Sequence, residues 1–240
     1  LRSSPESLQL EGVPGAAIFD IEGTLVDSVD LHARAWQEAF ARFGKPAPLE
    51  DIRDQIGKRG DQLLLAFLDA EELERIGDDL SEVHSGLYER QYLPWVKAFP
   101  GARELLARLK RFGVGVALAS SCRRVELGYY LRLVGGASLV DAATTAEDVD
   151  RTKPVPDVFE VCLDQLGVEA GAAVAVGDSP FDVESAKRAG IEVIGLLCGG
   201  FPEEALRAAG CGEIYKDPAD LLARLETSRL APEADARRGR

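Results

Sequence analysis

Two acids stand one residue apart where the first apolar run ends. In AAIFDIEGTLVDS (16–28), Asp20 and Glu22 follow a buried-looking stretch and precede Gly23 and Thr24. Alternate residues on extended backbone point to the same face, so both carboxylates could line one pocket, acting on a substrate or holding a cation. A solvated turn is the alternative that these residues alone leave open. Later apolar runs deliver more polar groups at their carboxyl ends. Ser120 and Ser121 follow the run at 114–119, Lys153 stands in TKPVPDVF after the run at 138–143, and Asp178 and Asp182 stand in GDSPFDVESA after the run at 172–177. A Lys-Pro is by itself an ordinary loop and GDS an ordinary turn; their ordered arrival at four strand ends favours a site.

A phosphate monoester site needs this chemistry. A carboxylate can take the phosphoryl group as an acyl phosphate. A hard cation such as Mg²⁺ prefers one or two carboxylates plus phosphate oxygens and water, and offsets the charge between an anionic nucleophile and an anionic substrate. Lys153 would offset it further, while Ser120 and the backbone N–H groups of the Gly23 turn hold the oxygens.

Such residues need a scaffold that brings strand ends together. The apolar runs at 16–19, 114–119, 138–143, 172–177 and 192–197 alternate with helical patterns, among them ARELLARLKRF, RVELGYYLRLV and PDVFEVCLDQLG. Continuous apolar strands alternating with helices predict an α/β fold with a parallel sheet covered on both faces. Its ligands belong beyond the carboxyl ends of the strands. From 29 to 97 only helical patterns occur, which predicts an inserted all-helical cap, with a second hinge near LPWVKAFPG (93–101). The expected division is a discontinuous core (14–28 and 98–228), a cap (29–97) and loose termini (1–13 and 229–240).

With 240 residues, 46% of them hydrophobic, the chain can bury a full core. It carries 41 acids against 28 Lys and Arg, a net charge of −13. That balance argues against nucleic acid or anionic membrane as partners, so cations in a phosphate site must be local. Cys122, Cys162, Cys198 and Cys211 form no CxxC pair, and free thiols in a reducing cytoplasm are expected. No membrane span or signal peptide is expected, nor, in a chain without Met, that residue 1 is the translation start. A monomer is expected.

Four motifs in order, FDIEGTLVDS, ALASS, TKPVPDVF and VGDSPFDVESAKRAG, resemble those of the haloacid dehalogenase superfamily. The likeness is to its phosphatases and phosphomutases with a helical C1 cap, of the phosphoglycolate phosphatase and β-phosphoglucomutase kinds. The resemblance implies a Rossmann-like core with Asp20 as nucleophile. It implies Mg²⁺ held by Asp20, the Glu22 carbonyl and Asp178, with Asp182 acting through water. Ser120 and Lys153 would bind the transferring phosphoryl group, and residue 22 would be the general acid–base. Gly23, Thr24 and Ser121 are carried as substrate-binding candidates.

The family's phosphatases have Asp where this chain has Glu22. The carboxylate then stands about 1.5 Å further out, and a misplacement of ~1 Å can cost ~10²-fold in rate. Glu22 could work slowly from an adapted rotamer, or let phosphoenzyme accumulate, or mark a changed chemistry. The last fits worst, because related dehalogenases carry an aromatic residue there and phosphonate hydrolases a small one.

His32 and Trp36 repeat the "H…AW" spacing of β-phosphoglucomutase-like members, so His32 is expected either to hydrogen-bond Glu22 when the cap closes or to be satisfied within the cap. His84 is expected at the surface. Lys58 and Arg59, in IGKRGDQLL, are candidates to reach substrate from the cap. The expected function is a Mg²⁺-dependent phosphatase of a small phosphorylated metabolite. A phosphomutase and a non-catalytic Mg²⁺ and phosphate binder stand as alternatives.

Overall fold

The structure, a computed structural model, describes residues 14–149, 151 and 153–232. The strands are β1 (Ala16–Phe19), β2 (Val26–Asp27), β3 (Lys97–Ala98), β4 (Gly115–Ala119), β5 (Ala142–Thr144), β6 (Ala173–Gly177), β7 (Glu192–Leu196) and β8 (Glu213–Tyr215). Six of them form a parallel sheet in the order β5-β4-β1-β6-β7-β8. The four residues of β1 are fully buried, as a strand covered on both faces requires. Ala17 and Phe19 join one apolar cluster, Ala16 and Ile18 the other. Phe19 is in register with Leu118 on one side and Val176 on the other. The chain winds outward from β1 in both directions, so the switch point lies beyond the carboxyl ends of β4, β1 and β6, where ligands of such sheets bind.

The core helices are α5 (Ala102–Arg111), α6 (Arg124–Val134), α7 (Asp157–Leu166), α8 (Pro180–Arg188), α9 (Glu203–Ala209) and α10 (Pro218–Ala223); between β2 and β3 lie α1 (Val29–Arg42), α2 (Leu49–Arg53), α3 (Gly60–Leu64) and α4 (Ala70–Leu87). The segment leaves and re-enters the core across the two-residue β2–β3 ladder, Val26 opposite Ala98 and Asp27 opposite Lys97. This ladder was not expected, because neither strand is long enough to show a period. The helical pattern at 59–77 is interrupted at Asp69, whose carboxylate accepts from Glu72 N at 2.9 Å while Glu72 Oε2 accepts from Asp69 N at 3.3 Å. This reciprocal cap starts α4 afresh. Helices α1 and α4 face each other through Trp36, Phe40, Leu80 and Leu87, continuous with the core cluster that contains Phe19.

Two sequence expectations are corrected. The strand expected at 138–143 begins only at Ala142. Before it, Asp141 Oδ2 accepts from Val116 N at 2.8 Å, so a side chain takes a donor on the β4 edge. The segment expected to be loose from 229 is packed at its start: Leu230 is fully buried, and Arg229 pairs with Glu192 at 3.2 Å and Glu213 at 3.5 Å. The remainder of both expected loose ends, 1–13 and 233–240, lies outside the described residues. Strand β8 was also missed, being only three residues long. Among the described residues no helix is long and apolar enough to cross a membrane.

Candidate active site

At the end of β1 the backbone N–H of Asp20 still donates to Val176 O at 2.8 Å, so Asp20 leaves the sheet between β4 and β6. Asp178 follows β6 directly, and Asp182 sits in the first turn of α8. Each of the three offers a carboxylate oxygen, and these oxygens lie within 4.8 Å of one another. Lys153, 1% exposed, pairs with Asp20 and, at 2.7 Å, with Asp182 Oδ1. Ser179 fixes the other Asp182 oxygen through its N–H at 3.0 Å and its hydroxyl at 2.6 Å.

Burial pushes the Asp20 carboxyl up to about 7 against the pull of Lys153, with Asp182 adding to the rise. Burial, then the charges of Asp182 and Asp20, push Asp178 well above the carboxylate range. Lys153 is held above its ordinary value by Asp182 and Asp20 despite burial. Three crowded carboxyl groups that burial and one another keep from ionising together, against one ammonium, are a set of hard oxygen donors that fits a divalent cation.

The glycine turn serves this cluster differently from expectation. The Gly23 N–H donates to Val26 O at 2.8 Å, so it is committed to the turn and does not face a phosphate. Its φ of +83° favours glycine, and a Cβ there would collide with the Asp178 carboxylate. The Thr24 hydroxyl, fully buried, donates to Asp178 Oδ1 at 2.7 Å, so Thr24 orients a carboxylate and does not line the substrate cavity. Gly23→Ala is therefore expected to destabilise the fold by about 1–3 kcal/mol and to weaken divalent-cation binding by displacing Asp178. Thermal melts with and without Mg²⁺ check this, and an unchanged melt with an unchanged Mg²⁺ response would contradict it.

Glu22 points to the cap. Its Oε1 lies 2.5 Å from His32 Nε2 and accepts from the Tyr130 hydroxyl at 3.0 Å. Burial opposes ionisation, but the His32 imidazole and the hydrogen bonds from His32 and Tyr130 hold the Glu22 carboxyl below its ordinary range. His32 stacks on Tyr88 with ring centroids 3.5 Å apart, and His84 lies 3.5 Å away through its Nε2. His84, expected at the surface, is 8% exposed and stacks on Trp36 at 3.9 Å. The reason is the α4 periodicity: Leu80, His84 and Leu87 share the face turned to α1. Burial pushes the His84 imidazole well below its ordinary value.

Above this network lies a cavity of about 390 Å³ between cap and core, lined by Glu22, Ser121 and Arg123 from the core and by His32, Lys58 and Arg59 from the cap. Ser120 is fully buried at the end of β4 and accepts from Cys122 N at 3.1 Å. The Ser121 Oγ is buried with no hydrogen-bond partner among the described residues. Lys58 bonds Gln55 Oε1 at 2.5 Å and lies 4.6 Å over the Phe181 ring, beside Asp182 in sequence. Arg59 is forked onto Asp61 at 2.7 and 2.6 Å.

Sequence reasoning missed His84, Tyr88, Tyr130 and the buried Glu126. The spacing of 80, 84, 87 and 88 could have marked a face, as could 126, 127, 130 and 134, but such faces read as core. Only the fold reveals which of their polar atoms meet.

Known proteins share this sequence and fold. Residues 17–196 match the haloacid dehalogenase-like hydrolase family. A validoxylamine A 7'-phosphate phosphatase from Streptomyces hygroscopicus subsp. limoneus is 30% identical over 182 residues, 75% of this chain and 84% of that protein. A phosphoglycolate phosphatase from Pseudomonas savastanoi pv. phaseolicola is 31% identical over 210 residues, 81% of this chain and 73% of that protein. The crystal structure of a hydrolase from Pseudomonas syringae superposes with a TM-score of 0.81 at 31% identity, covering 88% of this chain and 98% of that one. With the match spanning β1 to the end of β7, the chain belongs to the haloacid dehalogenase-like hydrolase family.

Proposed function

We propose that this hydrolase is a Mg²⁺-dependent phosphatase of a small phosphomonoester, working through an aspartyl phosphate on Asp20 with Glu22 as acid–base. The observation that carries the reading is the buried Asp20–Lys153–Asp182–Asp178 cluster, with Glu22, two residues on from Asp20, lining the cavity beside His32. The phosphatases among its relatives support it. Mg²⁺, held by Asp20, Asp178, Asp182 and the Glu22 carbonyl, would neutralise charge between nucleophile and phosphoryl group. A reducing cytoplasm suits its unpaired thiols.

An Asp20 oxygen attacks phosphorus as the ester P–O bond breaks, and the departing alkoxide takes a proton from the Glu22 carboxyl. In the second half, Glu22 as carboxylate removes a proton from water. The water oxygen bonds to phosphorus, the Asp20 P–O bond breaks, and Asp20 returns as carboxylate with release of phosphate. Between the halves Glu22 is a carboxylate, its proton gone with the alcohol, and the 2.5 Å contact with His32 supports that charge until water supplies the next proton. Lys153 and Ser120 bind phosphoryl oxygens, and Ser121, Lys58 and Arg59 meet the leaving group. A cavity of about 390 Å³ suits a small metabolite.

The test is phosphate release from 2-phosphoglycolate and a set of sugar phosphates, with Mg²⁺ and with chelator. Turnover is expected only with Mg²⁺, and metal-independent release or none at all overturns the reading. Mg²⁺ at 100 times its Kd should add about 2.7 kcal/mol of stability, seen as a raised Tm that chelator reverses. The His32–Glu22 contact also favours a second reading, a phosphomutase. Interconversion of sugar phosphates with little net phosphate release, given a bisphosphate primer, would select it.

A further inference from the structure

The chemistry above leaves Tyr130 without a task, yet its hydroxyl is the polar centre of the cap–core contact. The ring is fully buried on α6, and the hydroxyl lies 3.0 Å from Glu22 Oε1, 2.6 Å from the Tyr88 hydroxyl and 3.3 Å from His32 Nε2. The proton count fixes the direction of this chain. A carboxylate only accepts and a phenol has one proton. Tyr130 gives its proton to Glu22, so it must accept from Tyr88. The order is Tyr88 to Tyr130 to Glu22, with His32 reaching the same Glu22 oxygen from the other side. Tyr88 is in turn clamped by its stacking on His32. Core and cap thus each supply part of one anchor: Tyr130 comes from the core, Tyr88 and His32 from the cap.

A glutamate needs such an anchor more than an aspartate does. It has one more rotatable bond, and its carboxylate must be brought to one place for each proton transfer. We propose that Tyr130, backed by Tyr88, is a positioning residue that holds the Glu22 carboxylate in its working place, its hydroxyl set at the reach of a glutamate and beyond that of an aspartate. The anchor is complete only with Tyr88 seated, so Glu22 is oriented when the cap is down. The catalytic consequence rests on the phosphatase reading; the anchor itself does not.

A double-mutant cycle tests it. Tyr130→Phe keeps the ring and removes only the hydroxyl. It should lower kcat by roughly 10- to 10²-fold, the scale of a ~1 Å misplacement, with KM little changed. In the Glu22→Asp background the same change should cost only a small fraction of that, because the shorter side chain does not reach the hydroxyl. Tyr88→Phe should act in the same direction more weakly. Equal fold-losses in the two backgrounds would make Tyr130 a packing residue and overturn the proposal. Thermal melts of the same four proteins read the anchor without turnover: the Tm loss from Tyr130→Phe should be larger with Glu22 present than in the Glu22→Asp background. If none of the four releases phosphate, the phosphatase reading fails, and equal Tm losses would then sink the anchor separately.

Discussion

Asp20→Asn is expected to lower phosphate release by about 10⁵-fold or more, the scale seen when a covalent nucleophile is removed. The amide has the shape of the carboxylate but cannot form the acyl phosphate. The fold should not suffer. Asp20 is one of three buried carboxylates crowded within 4.8 Å, and its own carboxyl is pushed up to about 7 by burial and by Asp182. Neutralising it relieves that repulsion, while Lys153 keeps Asp182 at 2.7 Å. The metal-free variant should therefore melt at or above the temperature of the unaltered protein. Release of phosphate within tenfold of the unaltered protein would remove Asp20 from the nucleophile's role.

Lys153→Met should do the opposite to the fold. Lys153 is buried and shared between Asp20 and Asp182. Breaking a buried pair from one side typically costs about 3–5 kcal/mol, because the partner charge stays behind unpaired. Here two carboxyl groups lose their ammonium at once, with the Asp178 carboxyl buried beside them. Denaturant unfolding in chelator should show the full loss, and Mg²⁺ should recover part of it by replacing the missing positive charge. Activity should fall as well, by about 10²–10³-fold, the scale of losing one donor to a developing oxyanion. A variant that unfolds at the same denaturant concentration as the unaltered chain would show that the ion pairs contribute little.

The contrast between these variants reflects what was legible in the sequence. Asp20, Ser120, Lys153 and Asp178 each follow an apolar run or its loop, so strand–helix alternation alone places them at one sheet edge. Their grouping needed no knowledge of which strand neighbours which. The roles of Gly23 and Thr24 did need it, since the Thr24 hydroxyl meets a carboxylate 154 positions away. The Glu22 anchor was the least legible. Tyr130 lies 108 positions from Glu22 and 42 from Tyr88, and an aromatic residue on the buried face of a helix reads as packing. His32 was found because its spacing after Asp20 and before Trp36 repeats a known motif, whereas His84 had no such guide and was placed at the surface.

The same division holds for the fold. Strands with four or five apolar residues, such as β1, β4, β6 and β7, announce themselves. The two- and three-residue strands β2, β3 and β8 exist because a neighbour's backbone pairs with them, and that partner is invisible along the chain.

The most direct measurement is a rapid acid quench of the protein mixed with Mg²⁺ and a turned-over phosphomonoester, followed by intact-mass and peptide analysis. The mechanism predicts a transient gain of one phosphoryl group, mapped to the peptide that contains Asp20, decaying as phosphate appears and absent in Asp20→Asn. Phosphate release at full rate with no adduct at any quench time, or an adduct on another residue, would contradict it.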